Sequence, residues 1–150
     1  MSETEIDKKK IESLLPHREP MLLIDKLTKI VHLKSATAIM YVKKNGFYVQ
    51  GHFPNQPVMP GVLIVEAFGQ AAAALTACGI NPKEYKDKLV YLMSVDKARF
   101  RNPVIPDCEL KLEIEAVRSH GRVWKYKGVA KVEDKRMADA EWSATIVDRK

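Results

Sequence analysis

Cysteine is scarce in this sequence, which contains only Cys78 and Cys108. Neither has a second cysteine or a histidine at metal-ligand spacing, and two cysteines do not make the framework of a small secreted domain. This excludes a disulfide-built scaffold and a zinc ribbon, so we expect reduced thiols and no metal site. With 150 residues, 46 % of them hydrophobic, the chain is large enough for one core, and we expect a single domain over residues 1–150.

An apolar segment is also missing from the first ten residues, which are acidic and then rich in lysine. No secretory signal is therefore expected. The chain also lacks internal repeats and low-complexity runs, which argues against a solenoid or a disordered protein. We expect a cytoplasmic protein of bacterial type, or one of an organelle matrix if a transit segment has been removed.

Nucleic-acid motifs are absent although the net charge is +6 and the pI is about 9.3. A positive charge permits an acidic partner. Here, however, the basic residues are scattered, and no helix-turn-helix, zinc knuckle or basic-aromatic motif accompanies them. We therefore expect no nucleic-acid partner, and an acidic protein or small molecule fits at least as well.

One long apolar run stands out, from Gly61 to Cys78, interrupted only by Glu66, Gln70 and Thr76. A helix that is apolar almost all round is typical of burial on every side. The run approaches membrane-spanning length, but an ionisable residue near its centre and the patterned strands that follow argue against membrane insertion.

The rest of the chain predicts strands around this helix. Before it, we expect a short amphipathic helix over residues 4–15 and strands over residues 21–30, Ser35–Val42 and, briefly, 47–49. After it come a stop at residues 79–82, a loop over 83–88, strands over 89–95 and 97–101, a loop over 102–107 and three alternating strands starting near Leu110, Trp124 and Ala138. This is an α+β domain whose antiparallel sheet must wrap the helix. One side of such a helix stays poorly covered, which predicts at least a dimer.

A proline-rich arm precedes the helix, with Pro54, Pro57 and Pro60 at a spacing of three. These prolines fix φ and disfavour helix at the preceding residues, so the arm carrying His52 should be stiff and non-helical. Beyond it, Glu66 lies among apolar residues, where a carboxyl group must be paired or keep its proton. A histidine, a proton-holding glutamate and free N–H groups at a helix start supply a general base, a general acid and a site for developing negative charge.

Structural interpretations of the same residues exist. A histidine before Phe-Pro is more often a loop residue than a catalyst. Glu66 alone suits an interface ion pair, and Gln70 alone suits a polar contact. Two titratable groups flanking a proline-locked helix start are harder to explain by packing, and this favours the catalytic interpretation.

The run His-Phe-Pro-x-x-Pro-x-x-Pro-Gly-x-x-x-x-Glu-x-x-x-Gln, at residues 52–70, resembles the signature of the hot-dog-fold (3R)-hydroxyacyl-acyl-carrier-protein dehydratases of type II fatty-acid synthesis. Leu15-Pro16-His17-Arg18-x-Pro20 followed by Leu-Leu-Ile-Asp at 22–25 is similar to the family's N-terminal segment. Asp-Lys-Ala-Arg-Phe at 96–100, followed by Pro103, is similar to a later strand. The resemblance covers nearly the whole chain in order.

The resemblance implies a hot-dog fold in which the long helix is the central one. It also implies a homodimer with joined sheets, three of which commonly form a hexamer, and active sites between protomers. The implied enzyme is a hydro-lyase of fatty-acid biosynthesis that converts (3R)-3-hydroxyacyl-acyl carrier protein to the trans-2-enoyl product. Its partner is the acyl carrier protein, which carries the acyl chain on phosphopantetheine. No cofactor is needed.

The family match assigns His52 of one protomer to work with Glu66 of the other. In the dehydration, His52 suits removal of the C2 proton, the Gly61 N–H suits the thioester oxygen, and Glu66 suits protonation of the departing hydroxyl. Gln70, one turn beyond Glu66, is placed to orient it.

Further residues of the implied site bind substrate. These are Phe53 and Pro60 on the arm and Tyr91, which matches an aromatic that gates the acyl tunnel in the family but is equally suited to core packing. The remaining histidines are assigned structural roles, because none of them belongs to a motif with a second candidate acid or base. They are His17, His32 and His120.

A small positive ridge is predicted where Lys97, Arg99 and Arg101 alternate on a strand and so share a face. The resemblance implies docking of the acidic carrier protein there. A solvated edge that discourages aggregation explains the same pattern equally well.

The chain departs from the family at two places. Pro106-Asp107-Cys108 lacks a usual glycine, which Asp107 can replace in a left-handed turn with an altered loop shape. Gly69 replaces a larger residue, which predicts looser helix packing or a wider tunnel. Glu66, rather than aspartate, favours the plain dehydratase over the sister branch that also isomerises the double bond.

Three alternative functions stay open. A hot-dog thioesterase would release free thiol, and an R-specific enoyl-CoA hydratase would run the same chemistry on another carrier. A catalytically silent acyl-chain-binding module would show neither activity.

Overall fold

A computed structural model describes residues 4–80 and 88–148 of the chain. Within them, two helices and seven strands follow one another. In chain order they are β1 (Ile6–Asp7), α1 (Lys8–Leu14), β2 (Lys26–Val31), β3 (Ser35–Val42), α2 (Gly61–Cys78), β4 (Lys88–Phe100), β5 (Cys108–His120), β6 (Val123–Val132) and β7 (Lys135–Asp148).

The seven strands form one antiparallel sheet in the order β1-β2-β3-β5-β6-β7-β4. The hairpin between β6 and β7 turns at Glu133 and Asp134, both of which have positive φ (50° and 72°), the conformation that suits a tight two-residue hairpin. The strand β4 returns to pair with β7 and lies at one edge of the sheet. The α+β hot-dog prediction is confirmed.

Several predicted elements match the observed bounds. The long helix and the strand Ser35–Val42 coincide with α2 and β3, and β5 buries Leu110, Leu112 and Ile114 while its intervening side chains are exposed. The predicted strands at 89–95 and 97–101 are one strand with two register shifts. The predicted loop over 83–88 lies outside the described residues, apart from the start of β4.

One predicted strand begins too early and another is wrong. The strand predicted over residues 21–30 is β2 from Lys26 onward, but its first residues lie outside β2, because the N–H groups of Met21 and Leu22 bond to Arg18 O and that of Leu23 bonds to a side chain of α2. At Asp25 the N–H already bonds to Ile39 O of β3. Residues 47–49 form turns in which Val49 N–H bonds to Gly46 O. The first helix also begins later than predicted, at Lys8, where Asp7 caps it by accepting from Lys10 N–H at 2.9 Å.

The core lies between α2 and the inner face of the sheet. Phe68 of α2 stacks on Trp142 of β7 with ring centroids 5.1 Å apart. Gly128 of β6 makes this possible, since a Cβ atom there would lie 2.7 Å from the Phe68 ring and 3.0 Å from Trp142. The polar Thr76 is buried too, but its hydroxyl bonds to the Tyr126 hydroxyl, so its burial leaves no unpaired group.

One side of the molecule remains uncovered in the single chain. Val62, at the start of α2, is 75 % exposed. Large apolar side chains are also exposed along the edge strand β4, at Tyr91, Leu92, Met93, Val95 and Phe100. The helix α2 is long and apolar enough to cross a membrane by length and composition, but 61 % of it is buried inside the protein, which is typical of a core helix.

Candidate active site

His52 lies at the base of the proline-rich arm, in a loop closed by its own backbone. The Val58 N–H donates to His52 O at 2.7 Å, and the His52 ring Nδ1 lies 2.9 Å from Val58 O. Because a carbonyl oxygen only accepts, Nδ1 carries the proton in the neutral ring and Nε2 keeps its lone pair. The arm is non-helical, as predicted, and Met59 N–H anchors it to Val104 O at 2.9 Å.

The start of α2 follows directly after the arm. Pro60 is the N-cap and makes no side-chain cap, so the first N–H groups of the helix are left to other acceptors. At Gly61 a Cβ atom would lie 2.8 Å from the Phe100 ring of β4. Glycine is therefore required at this position for β4 to approach the helix start.

Gln70 holds Glu66 and the N-terminal segment together from inside the core. Its side chain is 1 % exposed. Its Oε1 accepts from Leu23 N–H at 2.8 Å, and its Nε2 donates to Met21 O at 2.7 Å and to Glu66 Oε2 at 2.8 Å. The contact with Glu66 is the one that the predicted orienting role of Gln70 requires.

The surroundings of Glu66 are more polar than the sequence suggested. Its side chain is 34 % exposed, and its Oε2 lies 3.7 Å from His17 Nε2. A cavity of about 50 Å³ adjoins it, lined by His17, Val65, Glu66, Gly69, Gln70, Ala73, Val90, Leu92 and Ala144. Among the described residues of one protomer, His52 is not part of this lining.

His17 is the functional candidate that sequence reasoning missed by assigning it a structural role. It lines the Glu66 cavity, and burial lowers its pKa, an effect that the nearby Glu66 carboxylate partly offsets and Arg18 reinforces. Its ring Nδ1 is buried and has no hydrogen-bond partner among the described residues. In the sequence, only its place in the Leu-Pro-His-Arg segment could have indicated a functional role for His17, because hydrophobic periodicity carries no information about it.

The other predicted site residues lie farther out. Phe53 stacks on the His52 ring with centroids 4.3 Å apart and is 55 % exposed. Tyr91 is also 55 % exposed, so it is not a core residue of the protomer. Its strand neighbours Val90 and Leu92 line the Glu66 cavity, and strand alternation therefore directs Tyr91 to the opposite face of β4.

The three cations of the predicted ridge share the outer face of the sheet, where all of them line one broad groove. Lys97 pairs with Glu141 at 3.7 Å, and Arg101 pairs with Asp139 at 2.6 Å. Within the described part of the chain, Arg99 has no ion pair. Two of the three charges are thus already compensated.

The two departures have distinct structural outcomes. Asp107 Oδ1 accepts from Lys44 N–H at 2.9 Å and so ties the loop before β5 to the end of β3. At Gly69 a Cβ atom would meet nothing within 4 Å, and the residue lines the Glu66 cavity. The missing side chain therefore widens that cavity.

Comparison with known proteins gives one family. A family model for the FabA-like domain matches residues 15–141. The chain is 49 % identical over 139 residues to 3-hydroxyacyl-[acyl-carrier-protein] dehydratase FabZ of Anaeromyxobacter sp. (strain K), covering 93 % of this chain and 89 % of that protein. FabZ of Myxococcus xanthus is 50 % identical (93 % and 90 % covered), and FabZ of Rhodospirillum rubrum is 47 % identical (97 % and 90 % covered).

Solved structures share the fold at much lower identity. The dehydratase heterocomplex ApeI:P from Xenorhabdus doucetiae superposes with a TM-score of 0.76 at 17 % identity, covering 92 % of this chain and 91 % of that one. A sigma28-regulated virulence protein from Campylobacter jejuni gives 0.69 at 16 % identity, covering 94 % and 90 %. One fold therefore serves proteins with different descriptions, and function must be argued from the site.

Proposed function

This chain belongs to the family of FabA-like domains, and from that membership we propose that it is a 3-hydroxyacyl-acyl-carrier-protein dehydratase of fatty-acid biosynthesis. The observation that carries the proposal is a pair of prepared groups on either side of a helix start. His52 precedes the start with Nε2 free, and Glu66 follows it with its carboxyl held by Gln70. A hydro-lyase acting on a 3-hydroxyacyl thioester needs a base and an acid in this relation.

His52 removes the proton from C2 of the substrate. Its Nδ1–H is bound to Val58 O, which fixes the ring and the tautomer, so Nε2 is the basic atom. The electron pair of the broken C2–H bond forms the C2=C3 double bond. The thioester oxygen gains negative charge as this happens, and the Gly61 N–H at the positive end of α2 is the group that stabilises it.

Glu66 gives its proton to the C3 hydroxyl, which leaves as water when the C3–O bond breaks. The resulting carboxylate still accepts from Gln70 Nε2. Return of the proton from His52 to Glu66, through water, completes the cycle. Phe53 and Pro60 contact the acyl chain and its thioester in this proposal, whereas Tyr91 faces away from the Glu66 cavity of its own protomer and is given no contact there. No cofactor takes part.

The complete site needs two protomers, with His52 from one and Glu66 from the other. Two observations support this. The cavity beside Glu66 is lined in one protomer without His52. Leu92, which lines this cavity, and Val62, one helical turn before Glu66, are both exposed. Burying such a surface against a second copy stabilises a dimer. Three dimers form the hexamer common in this family.

The test is hydration of crotonyl-acyl carrier protein, followed by loss of the ultraviolet absorbance of its enoyl thioester. The wild type should turn over, and His52→Ala and Glu66→Gln should each lower the rate by about 10²- to 10⁴-fold. An inactive wild type would refute the dehydratase assignment. A free-thiol assay on the same sample would then identify a thioesterase, and no reaction in either assay would leave a silent acyl-binding module.

The same two variants test the shared site when they are mixed and allowed to exchange subunits. In a mixed dimer, one site carries both substitutions and the other carries neither. Random exchange makes half of the dimers mixed, so about a quarter of wild-type activity should return. No recovery, with exchange verified by mass spectrometry, would place His52 and Glu66 in the same protomer.

Acyl carrier protein docks on the outer face of the sheet at Lys97, Arg99 and Arg101. Because Lys97 and Arg101 already have acidic partners, Arg99 contributes most of the attraction to an acidic partner. Arg99→Glu should raise the KM for the carrier-linked substrate, while the KM for the same acyl group on a short pantetheine thiol should not change. Equal KM values for wild type and variant would leave the ridge as a solvated edge.

Membership of this family also bears on the domain organisation and the cellular location of the chain. We infer that residues 1–150 form a single domain, since one sheet and one hydrophobic cluster contain the described elements. The relatives named above are bacterial, which supports a cytoplasmic location. Size-exclusion chromatography with light scattering distinguishes dimer from hexamer, and fractionation of the source cells tests the location.

A further inference from the structure

The hydrogen bonds of Gln70 determine which oxygen of Glu66 can carry a proton. Leu23 N–H is a donor, so the atom of Gln70 that it contacts must be the oxygen. The amide nitrogen is thereby the atom that faces Met21 O and Glu66 Oε2. An amide N–H only donates, so Glu66 Oε2 is an acceptor. Because the carbonyl oxygen of a carboxylic acid is a better acceptor than its hydroxyl oxygen, this bond favours Oε1 as the oxygen that carries the proton of the neutral acid.

His17 approaches that same acceptor oxygen. Its Nε2 is 3.7 Å from Glu66 Oε2, which is longer than a hydrogen bond, so the two atoms must come closer before one forms. Contacts of this kind often tighten only when substrate binds. Since Oε2 offers a lone pair, the neutral His17 ring that fits it carries its proton on Nε2, which leaves the buried Nδ1 without a proton.

Burial of the His17 ring lowers its pKa and so favours the neutral form. A charged ring would need a proton on Nδ1, which is buried without a partner among the described residues. The groups that act on it are Glu66 on α2, which favours the charged form, and Arg18 beside it, which opposes it. Arg18 itself is turned to backbone carbonyls, those of Leu15 and His17.

We propose that His17 is a positioning residue for the acid of the dehydration, donating from Nε2 to Glu66 Oε2 alongside Gln70 and so keeping the transferable proton on Oε1. This rests on the proposed function. As Glu66 releases its proton, the charge left on the carboxylate is shared between two neutral donors at Oε2. A positively charged group in place of the neutral His17 ring would favour the ionised form of Glu66 and so oppose its role as an acid.

Two amide substitutions with the same chemistry but different reach test the proposal. The amide nitrogen of Gln lies near the position of a histidine Nε2, whereas that of Asn lies near Nδ1. His17→Gln should therefore keep kcat within about threefold of the wild type, and His17→Asn should lower it about tenfold, the size expected for one hydrogen bond to a charged group. The KM should change little in both, because the contact strengthens in the transition state.

Thermal unfolding of both variants provides the control for folding. Equal kcat values for His17→Gln and His17→Asn, at comparable melting temperatures, would overturn the proposal in favour of packing. If the wild type itself shows no turnover, the proposed function fails. Nitrogen-15 NMR of the histidine rings then still tests the inference, since a His17 ring with its proton on Nδ1 would refute it and one with its proton on Nε2 would support it.

Discussion

The two ends of the long helix α2 have similar apolar sequences but different surroundings. From Gln70 to Ala77 every residue is buried, whereas Val62 is 75 % exposed and Glu66 is one-third exposed. The buried end packs on the sheet, with Phe68 and Thr76 contacting Trp142 and Tyr126. The open end carries the proposed chemistry and is the end that the proposed dimer would cover. In that proposal, hydrophobic residues of one helix form the core at one end and the protomer interface at the other.

The largest expected contrast in stability comes from a matched pair of truncations along α2. Leu75 is fully buried and Val62 is exposed. Leu75→Ala should lower the free energy of unfolding by about 2–5 kcal/mol, because it leaves a cavity in the core. Val62→Ala should change the stability of an isolated protomer by less than about 0.5 kcal/mol.

Urea unfolding at several protein concentrations measures both effects. Val62→Ala should also weaken the dimer, which would lower the unfolding midpoint most at low protein concentration, where the dimer dissociates first. If Val62→Ala lowers the free energy of unfolding as much as Leu75→Ala does, independently of protein concentration, both ends of the helix belong to the core of one protomer.

A smaller effect, confined to the buried end, should appear at high pH. Burial raises the pKa of Tyr126 to about 12, against a lesser opposing effect of its bond with Thr76. Its unfolded value is near 10, so the folded state holds the proton more tightly. The stabilisation is complete below pH 10 and is lost between pH 10 and 12, by about 2–3 kcal/mol for two pH units.

Unfolding free energies measured across that range, with Tyr126→Phe as the control, test this expectation. The wild type should lose stability more steeply than the variant above pH 10. Parallel curves would show that Tyr126 ionises without a cost to the fold, which would contradict the contrast between the two ends of α2.

The sequence predicted the secondary structure correctly where a local pattern is compatible with only one type of element. An apolar run with glycine at its start predicts α2 at its observed bounds, and alternation predicts the buried residues of β5. It failed at residues 21–25, which look like a strand. The backbone N–H groups of Met21, Leu22 and Leu23 bond instead to Arg18 O and to the side chain of Gln70. A partner 47 residues away in sequence is invisible to any local pattern.

In the candidate site, too, the residues that share one local motif were predicted and the residue that only the tertiary fold brings there was not. His52, Gly61, Glu66 and Gln70 lie within one stretch whose spacing indicates their chemistry. His17 was assigned a structural role because only the tertiary fold brings it to Glu66. For the same reason the sequence overstated the apolar character around Glu66, since it could not show a polar neighbour from another segment.

The Gln70 amide joins three parts of the molecule that are distant in sequence, namely the segment at Met21 and Leu23, the helix core and the Glu66 carboxyl. Detachment of that N-terminal segment would break two of these bonds and leave the amide free to rotate. The acid would lose its orientation although no residue of the helix had changed. Docking of the N-terminal segment and orientation of the Glu66 carboxyl are therefore thermodynamically coupled. A ligand that orders the carboxyl should also protect the backbone around Met21 and Leu23 from proteolysis.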